Sequence, residues 1–195
     1  MAPFVGLTGG IGAGKSTALT ALERLGAVVL STDDVVHELY EGAELRAAVI
    51  ERFGQEVAPE GKVDRGALAR AAFATPVERE WLEGQLWPRV GERIFAWRQE
   101  ADARTPSPRA AIVEVPLLFE SGLDGAFDAT IAVVAPEALR AERAGARGHH
   151  AVDERAARQL TQEEKAGRAT HAVINDGGLD ELEHKLSAVL DMLDR

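Results

Sequence analysis

Residues 9–16 of the chain have the types and spacing of a loop that binds phosphate groups. They read GGIGAGKS, which fits the pattern Gly-x4-Gly-Lys-Ser/Thr. Glycines lack a Cβ, so consecutive backbone N–H groups can point into one concave, anion-binding nest. We expect Lys15 to be catalytic by reaching the β- and γ-phosphates of a nucleoside triphosphate, and the Ser16 hydroxyl to hold Mg²⁺. The predicted nucleotide-binding residues of this loop are Gly10, Ile11, Gly12, Ala13, Gly14, Lys15, Ser16 and Thr17.

The segments on both sides of the loop support this prediction. The apolar run 4–8 before it predicts a buried strand, and residues 16–25 after it predict a helix that Gly26 closes. The start of a helix adds the positive end of its dipole at the point where phosphates would lie. A chance match in a glycine-rich turn is the alternative, and the order strand, loop, helix argues against it.

Five short apolar runs predict the strands of one sheet. Continuous apolar runs are typical of parallel strands that are covered on both faces, and the long amphipathic stretches between them predict helical crossovers. The predicted fold class is therefore α/β, with a five-stranded parallel sheet sandwiched by helices. The runs are 4–8, 27–30, 111–115, 130–134 and 171–174.

Two long excursions interrupt this alternation and define the predicted organisation of a single domain over residues 1–195. The core is assigned to 1–32, 110–139 and 169–195, a helical acceptor-binding insertion to 33–109, and a lid to 140–168.

The insertion contains a helical pattern and all three tryptophans of the chain. The pattern begins near Glu78, and Pro88 together with the preceding Trp87 is expected to interrupt it. Trp81, Trp87 and Trp97 are expected to pack in the core and not to serve as stacking platforms for a ligand.

The composition excludes several classes of protein. The net charge of −10 provides no general basic footprint for nucleic acid, and no run approaches the ~18 apolar residues of a membrane span. The chain has no cysteine, which excludes disulfides and thiolate chemistry and suits a reducing compartment. We therefore expect a cytoplasmic protein, a monomer or weak homo-oligomer, that acts on a small molecule and binds neither nucleic acid nor a membrane.

A phosphate-binding loop does not by itself name the reaction. A regulatory GTPase usually carries Asp-x-x-Gly and Asn-Lys-x-Asp to read the γ-phosphate and guanine, and neither motif occurs in the sequence. The acidic balance disfavours an oligomeric nucleic-acid ATPase. Phosphoryl transfer to a small molecule fits better, because one excursion can hold the acceptor and the other can close an arginine-bearing flap over the phosphates.

Motifs along the whole chain resemble those of the dephospho-CoA kinase family. Residues 7–17, LTGGIGAGKST, resemble the opening of these kinases, and residues 116–120, PLLFE, are similar to a second family stretch. Further matches, in the family's order, are Asp33, Gln162, Lys165, Asn175 and Gly177. The resemblance implies a P-loop fold like that of nucleoside monophosphate kinases. It also implies transfer of the γ-phosphoryl of ATP, with Mg²⁺, to the ribose 3′-hydroxyl of dephospho-CoA, the last step of coenzyme A synthesis. The alternative is a kinase of another small metabolite, a nucleotide or a shikimate-like alcohol.

The resemblance also implies roles for single residues. Asp33 would orient and deprotonate the acceptor hydroxyl from the end of the second strand, although this position fits a helix N-cap equally well. Arg143 and Arg147 share one helical face, and the family favours phosphate ligands there over a solvated, ion-paired face. Arg143 is predicted to be catalytic, and Arg147 and Asn175 are predicted to bind the nucleotide. The implied acceptor-binding residues are Thr8, Asp33, His37, Asp64, Arg65 and Leu117.

Four positions depart from the family pattern. Ser31 stands where the family has an acidic residue, and Trp87 stands where it has a histidine. Gly148 and Thr170 occupy positions where aspartate is common. Separately from these departures, Glu114 interrupts an apolar strand. Its carboxylate could orient a ligand of a bound Mg²⁺ without touching the metal, or it could simply point into the mouth of the cleft.

Overall fold

All five predicted strands lie in one parallel sheet. They are β1 (Phe4–Gly9), β2 (Val28–Ser31), β3 (Ala111–Glu114), β4 (Ala129–Val134) and β5 (His171–Ile174). The spatial order is β2-β3-β1-β4-β5, and every neighbouring pair is parallel. The structure is a computed structural model, and it describes residues 1–146 and 159–194. The prediction of an α/β fold with a five-stranded parallel sheet is confirmed.

Helices separate the strands along the chain. Within the described residues they are α1 (Lys15–Arg24), α2 (Thr32–Glu41), α3 (Ala43–Phe53), α4 (Arg65–Ala72), α5 (Pro76–Asp102), α6 (Glu137–Ala146), α7 (Gln162–Arg168) and α8 (Leu179–Leu193). Short 3₁₀ turns lie at Gln55–Val57, Pro59–Gly61 and Asp124–Ala126. Over the part of the chain that the structure describes, no helix combines the length and the apolarity needed to cross a membrane.

The first of two compact units comprises Met1–Ser31 and Arg98–Arg195 and contains the whole sheet. Its core joins the sheet to two helices: Leu7 of β1, Leu22 of α1 and Leu186 of α8 are fully buried in one cluster. Burying a leucine side chain contributes about 1.5–3 kcal/mol relative to leaving it exposed. This packing holds the strand before the phosphate-binding loop and the helix after it in fixed positions.

The second compact unit, Thr32–Trp97, is helical and has a core of its own. Leu45 of α3, Leu68 of α4 and Leu82 of α5 are buried together in this core. Each helix buries one apolar stripe against its neighbours, which is how short helices are stabilised in a protein. The assignment of residues 33–109 to acceptor binding and of 140–168 to a lid remains a prediction.

The three tryptophans lie in different environments. Trp97 is buried, and Trp81 packs half-buried against Phe53 with 5.4 Å between ring centroids. Trp87 is 46% exposed. The expectation of a core position is therefore confirmed for Trp97 and Trp81 and wrong for Trp87.

Helix α5 runs without a break from Pro76 to Asp102 and contains Pro88. The predicted interruption at this proline is therefore wrong. A proline inside a helix removes one backbone hydrogen bond and costs about 3 kcal/mol. Here Leu82 and Leu86 before the proline and Val90 after it are all buried, so packing on both sides keeps the helix continuous.

Candidate active site

The loop between β1 and α1 has the backbone conformation that the sequence predicts. Gly12 and Gly14 have φ values of 76° and 94°, a left-handed region that side chains with a Cβ rarely adopt. A Cβ at Gly12 would also lie 2.5 Å from the carbonyl oxygen of Arg140. Gly12 therefore needs to be glycine for two reasons, the backbone angle and the close approach of α6, whereas at Gly14 a Cβ would meet the side chain of Asn175.

Two side chains from distant parts of the sequence fasten the outer side of this loop. Asn175, which is buried just after β5, donates from Nδ2 to the carbonyl oxygen of Ala13 at 2.9 Å. Arg140 of α6 donates from Nε to the carbonyl oxygen of Ile11 at 2.9 Å, and its Nη1 pairs with Glu137 Oε2 at 2.6 Å. Asn175, predicted to bind the nucleotide, thus supports the loop directly, and Arg140 is a site residue that sequence reasoning missed.

Lys15 lies at the end of the loop beside a buried carboxylate. Its Nζ donates to the carbonyl oxygens of Gly9 and Gly10 at 3.2 and 3.5 Å and is 3.9 Å from Glu114 Oε1. Glu114 is the last residue of β3 and is 7% exposed. The ammonium group therefore lies at the carboxyl edge of the sheet, where ligands of open α/β sheets bind.

Ser31 shows what replaces the acidic residue of the family pattern. Its hydroxyl Oγ donates to Glu114 Oε2 at 3.1 Å, and the register of β2 and β3 places the two residues side by side. A second carboxylate at this position would face Glu114 with like charge, whereas a hydroxyl stabilises the ionised carboxylate. Ser31 is therefore a hydrogen-bond donor to Glu114 in place of the family's acidic residue. The sequence alone had left the role of Glu114 open.

Ser16 and Thr17 occupy the first turn of α1 with exposed side chains. No acidic residue shares that turn, so the positive end of the helix dipole is available to an anion. Among the described residues, no three His, Cys, Asp or Glu side chains cluster as a metal site. Mg²⁺ is usually bound by one or two protein oxygens together with substrate phosphates, and the Ser16 hydroxyl is an exposed oxygen at this place.

A cavity of about 250 Å³ adjoins the loop. Its lining residues are Gly12, Gly14, Thr17, Arg143, Asn175, Gly177, Gly178, Leu179 and Leu182. Arg143 Nη1 is buried and has no hydrogen-bond partner among the described residues, an arrangement that costs free energy unless a ligand supplies an acceptor. The structure therefore brings the predicted Arg143 to the loop, whereas the predicted Arg147 lies outside the described residues.

Thr8 and Leu117, two of the predicted acceptor-binding residues, lie at the carboxyl edge of β1 and β3. Thr8 is fully buried, and its Oγ1 donates to the carbonyl oxygen of Pro116 at 3.3 Å. Leu117 is half-buried in the turn after β3. Both therefore belong to the same edge of the sheet as Lys15.

Four of the predicted site residues lie in the helical unit, and they are Asp33, His37, Asp64 and Arg65. His37 is exposed, with Nε2 3.8 Å from Glu41 Oε1, and Arg65 is exposed at the start of α4. Asp64 is the N-cap of α4: its Oδ1 accepts from the N–H groups of Gly66 and Ala67 at 2.8 and 3.0 Å.

The sequence placed Asp33 at the end of the second strand, and this placement is wrong. Strand β2 ends at Ser31 and α2 begins at Thr32, so Asp33 is the second residue of that helix. The alternative that Asp33 is the N-cap is wrong for the same reason. Its half-buried carboxylate lies in the first helical turn, where the helix dipole favours negative charge.

A family model described as dephospho-CoA kinase matches residues 3–181 of the chain. The chain belongs to the dephospho-CoA kinase family. A dephospho-CoA kinase of Deinococcus radiodurans is 40% identical over 193 residues, which cover 97% of this chain and 92% of that protein. One of Moorella thermoacetica is 36% identical over 198 residues and covers 98% of this chain and 92% of its own length.

A solved structure agrees with this assignment. The crystal structure of a Thermus thermophilus protein superposes with a TM-score of 0.78 at 35% identity and covers 98% of each chain. Membership of the dephospho-CoA kinase family confirms the predicted family, the P-loop kinase fold and the predicted activity, a kinase in the last step of coenzyme A synthesis. The roles of the individual site residues remain predictions.

The pH dependence of stability tests the structural role of Asp64. Hydrogen bonds from the N–H groups of Ala67 and Gly66 lower the pKa of this carboxyl. A lowered pKa in the folded state means that the ionised carboxylate stabilises the fold above the unfolded pKa of about 3.9, and that this contribution is lost as pH falls through the folded pKa. The loss in unfolding free energy caused by Asp64→Ala should therefore be largest at pH ~7 and shrink below pH ~4 in urea titrations.

The matched control is Asp64→Asn, which keeps an accepting oxygen and should retain most of the stability at neutral pH. A loss in Asp64→Ala that is the same at every pH would contradict the capping role. If Asp64 instead contacts the acceptor, both variants should weaken acceptor binding without a change in stability.

Proposed function

We propose that the chain transfers the γ-phosphoryl group of ATP to the ribose 3′-hydroxyl of dephospho-CoA, with Mg²⁺ as the metal. The observation that carries this proposal is the glycine loop with Lys15 at the carboxyl edge of the sheet, in a chain that matches its family over residues 3–181. In phosphoryl transfer, catalysis is mainly positioning and charge stabilisation, and the residues at this edge supply both.

The triphosphate is proposed to lie on the loop, with its nucleoside end in the adjoining cavity. The N–H groups of residues 10–17 and the start of α1 attract the phosphate oxygens. Lys15 Nζ lies at the carboxyl edge of the sheet, 3.2 and 3.5 Å from two loop carbonyl oxygens and 3.9 Å from Glu114 Oε1, and it is proposed to reach the β- and γ-phosphates from this position. Asn175 keeps the floor of the cavity attached to the loop.

The Ser16 hydroxyl is proposed to hold Mg²⁺ together with phosphate oxygens. A bound Mg²⁺ supplies positive charge that neutralises the β- and γ-oxygens during transfer. The buried Glu114 carboxylate, oriented by Ser31, contributes negative charge at the same sheet edge and can orient water on the metal.

Arg143 is proposed to meet the negative charge that the transferring phosphoryl group develops, with Arg147 in support. The observation behind this role is the buried Nη1 of Arg143 at the cavity wall, which has no hydrogen-bond partner in residues 1–146 or 159–194. A fixed cation in a site that excludes water stabilises such charge more strongly than in bulk water.

Asp33 is proposed to accept the proton of the acceptor hydroxyl and to orient it. A positioned carboxylate of this kind contributes about 10² to 10⁴-fold to the rate. Thr8, His37, Arg65 and Leu117 are proposed as further acceptor-side residues, and Asp64 as the residue that fixes the start of α4 beside Arg65.

An acceptor panel tests the function itself. Incubation with ATP, Mg²⁺ and separate acceptors should add one phosphate to dephospho-CoA, detected by mass spectrometry, and nucleoside monophosphates and shikimate should be poor acceptors. Lys15→Ala is the matched control and should lose most of the transfer because the β/γ oxygens lose their nearest fixed cation. Comparable efficiency on a nucleoside monophosphate would move the protein to another class of small-molecule kinase.

The base role of Asp33 predicts a folded but slow enzyme when the charge is removed. Asp33→Asn keeps the shape of the side chain and should bind ATP normally, with turnover reduced about 10² to 10⁴-fold. The neighbouring Asp34→Asn removes the same charge from an exposed position and should turn over normally. Normal turnover in Asp33→Asn, or loss of activity only through unfolding, would require another base.

The role of Arg143 predicts a change in turnover and not in acceptor binding. Arg143→Ala should lower kcat about 10- to 1000-fold, because the lost interaction develops in the transition state. Arg168→Ala, a control on the exposed side of α7, should leave kcat unchanged. A rise in the KM for dephospho-CoA at unchanged kcat in steady-state assays would contradict the proposal.

A further inference from the structure

Lys165 is a lysine with no exposure to solvent at all, in the first unit of the protein. A buried ammonium group is costly unless each of its donors is paired, and lysine has three. Here Nζ lies 2.9 Å from Glu120 Oε1, and it donates to the carbonyl oxygen of Pro116 at 2.7 Å and to Thr8 Oγ1 at 3.4 Å. All three donors of Lys165 therefore have acceptors.

The acceptors belong to the two strand ends that frame the proposed site. Thr8 is the last residue but one of β1, which leads into the phosphate-binding loop, and Pro116 is in the turn that follows Glu114 at the end of β3. Thr8 Oγ1 also donates to the carbonyl oxygen of Pro116 at 3.3 Å, which closes a triangle of polar atoms with Nζ. The backbone pairing of β1 with β3 ends here, with the bond from the Val115 N–H to the carbonyl oxygen of Leu7 at 2.8 Å. Lys165 adds side-chain bonds to both strand ends one residue beyond that point.

The helix that carries Lys165 is itself held firmly. Thr161 and Glu164 form a reciprocal capping box at the start of α7. Gln162 makes two hydrogen bonds with the backbone of Ala135, directly after β4. Glu120 Oε1, the partner of Lys165, also accepts from the N–H of Leu160 at 2.8 Å. Lys165 is therefore anchored to the sheet from its own helix.

We propose that Lys165 is a positioning residue for phosphoryl transfer, which sets the spacing of Thr8 and Pro116, and through them of the loop and Glu114, at the carboxyl edge of β1 and β3. Glu120 has a different part: it supplies the countercharge that makes burial of the ammonium tolerable. This inference rests on the proposed function, because the edge that Lys165 sets is the edge assigned to the reaction.

The positioning role of Lys165 predicts that its replacement affects turnover and ATP binding differently. The loop has separate supports in Asn175 and Arg140, so ATP can still bind when Lys165 is replaced. Transfer requires the reacting groups within a fraction of an ångström, and small misplacements lower the rate far more than they lower binding. Loss of Lys165 should therefore appear in kcat and not in the dissociation constant of ATP.

A pair of variants separates positioning from stability. Glu120→Gln leaves the bonds from Lys165 to Thr8 and Pro116 but removes the countercharge, so it should unfold at lower urea concentration and keep kcat within about threefold. The double variant Lys165→Met/Glu120→Gln contains no buried charge at this place and should recover stability. Its kcat with dephospho-CoA should nevertheless fall about tenfold or more at a nearly unchanged Kd for ATP.

A double variant that is stable and turns over like the wild type would overturn the proposal and leave Lys165 a role in stability alone. If the double variant does not fold, Thr8→Val decides, since it removes one acceptor of the triangle and keeps the ion pair. A folded Thr8→Val with wild-type kcat would also overturn the proposal. Failure of the wild type to phosphorylate dephospho-CoA would instead refute the proposed function, which keeps the two failures distinct.

Discussion

A loop whose N–H groups converge on an anion must direct its carbonyl groups elsewhere, and each of those carbonyls needs a donor. In this protein two of the donors come from side chains, Asn175 on the carbonyl of Ala13 and Arg140 on that of Ile11. The left-handed backbone at Gly12 and Gly14 makes room for these neighbours. The proposed nucleotide site is thus formed jointly by the loop, the segment after β5 and α6.

The two lysines at the carboxyl edge of the sheet differ in their exposure to solvent and in the lengths of their contacts. Lys15 is partly exposed and has contacts of 3.2 to 3.9 Å, which phosphate oxygens are proposed to replace. Lys165 has no exposure, and a carboxylate, a carbonyl and a hydroxyl saturate its donors. The first lysine suits a ligand that arrives and leaves, and the second suits a scaffold that must not move.

The parts of the fold that follow from local pattern were predictable, and the parts that depend on distant partners were not. Apolar runs located all five strands, and the glycine spacing located the loop, because both signals lie within a few consecutive residues. Arg140 gave no such signal, since one arginine in a charged helix looks like any solvated residue until Ile11 is placed beside it. Pro88 misled for a related reason: local propensity opposed a helix that burial of Leu86 and Val90 maintains. The roles of Ser31 and Glu114 likewise emerged only from the pairing of β2 with β3.

The strand order has a consequence for how the protein is made. Strand β1 comes before the other described strands along the chain, yet it lies in the middle of the sheet, between β3 and β4, which follow more than 100 residues later. During synthesis, β1 therefore waits with both edges unpaired, which is the condition under which apolar strands associate with other chains. The side chain of Asn175 reaches a loop residue 162 positions earlier, so the loop receives this support only after β5 has been synthesised. A nascent chain that stops before β5 therefore contains the glycine loop and Arg140 but lacks the support that Asn175 gives to Ala13.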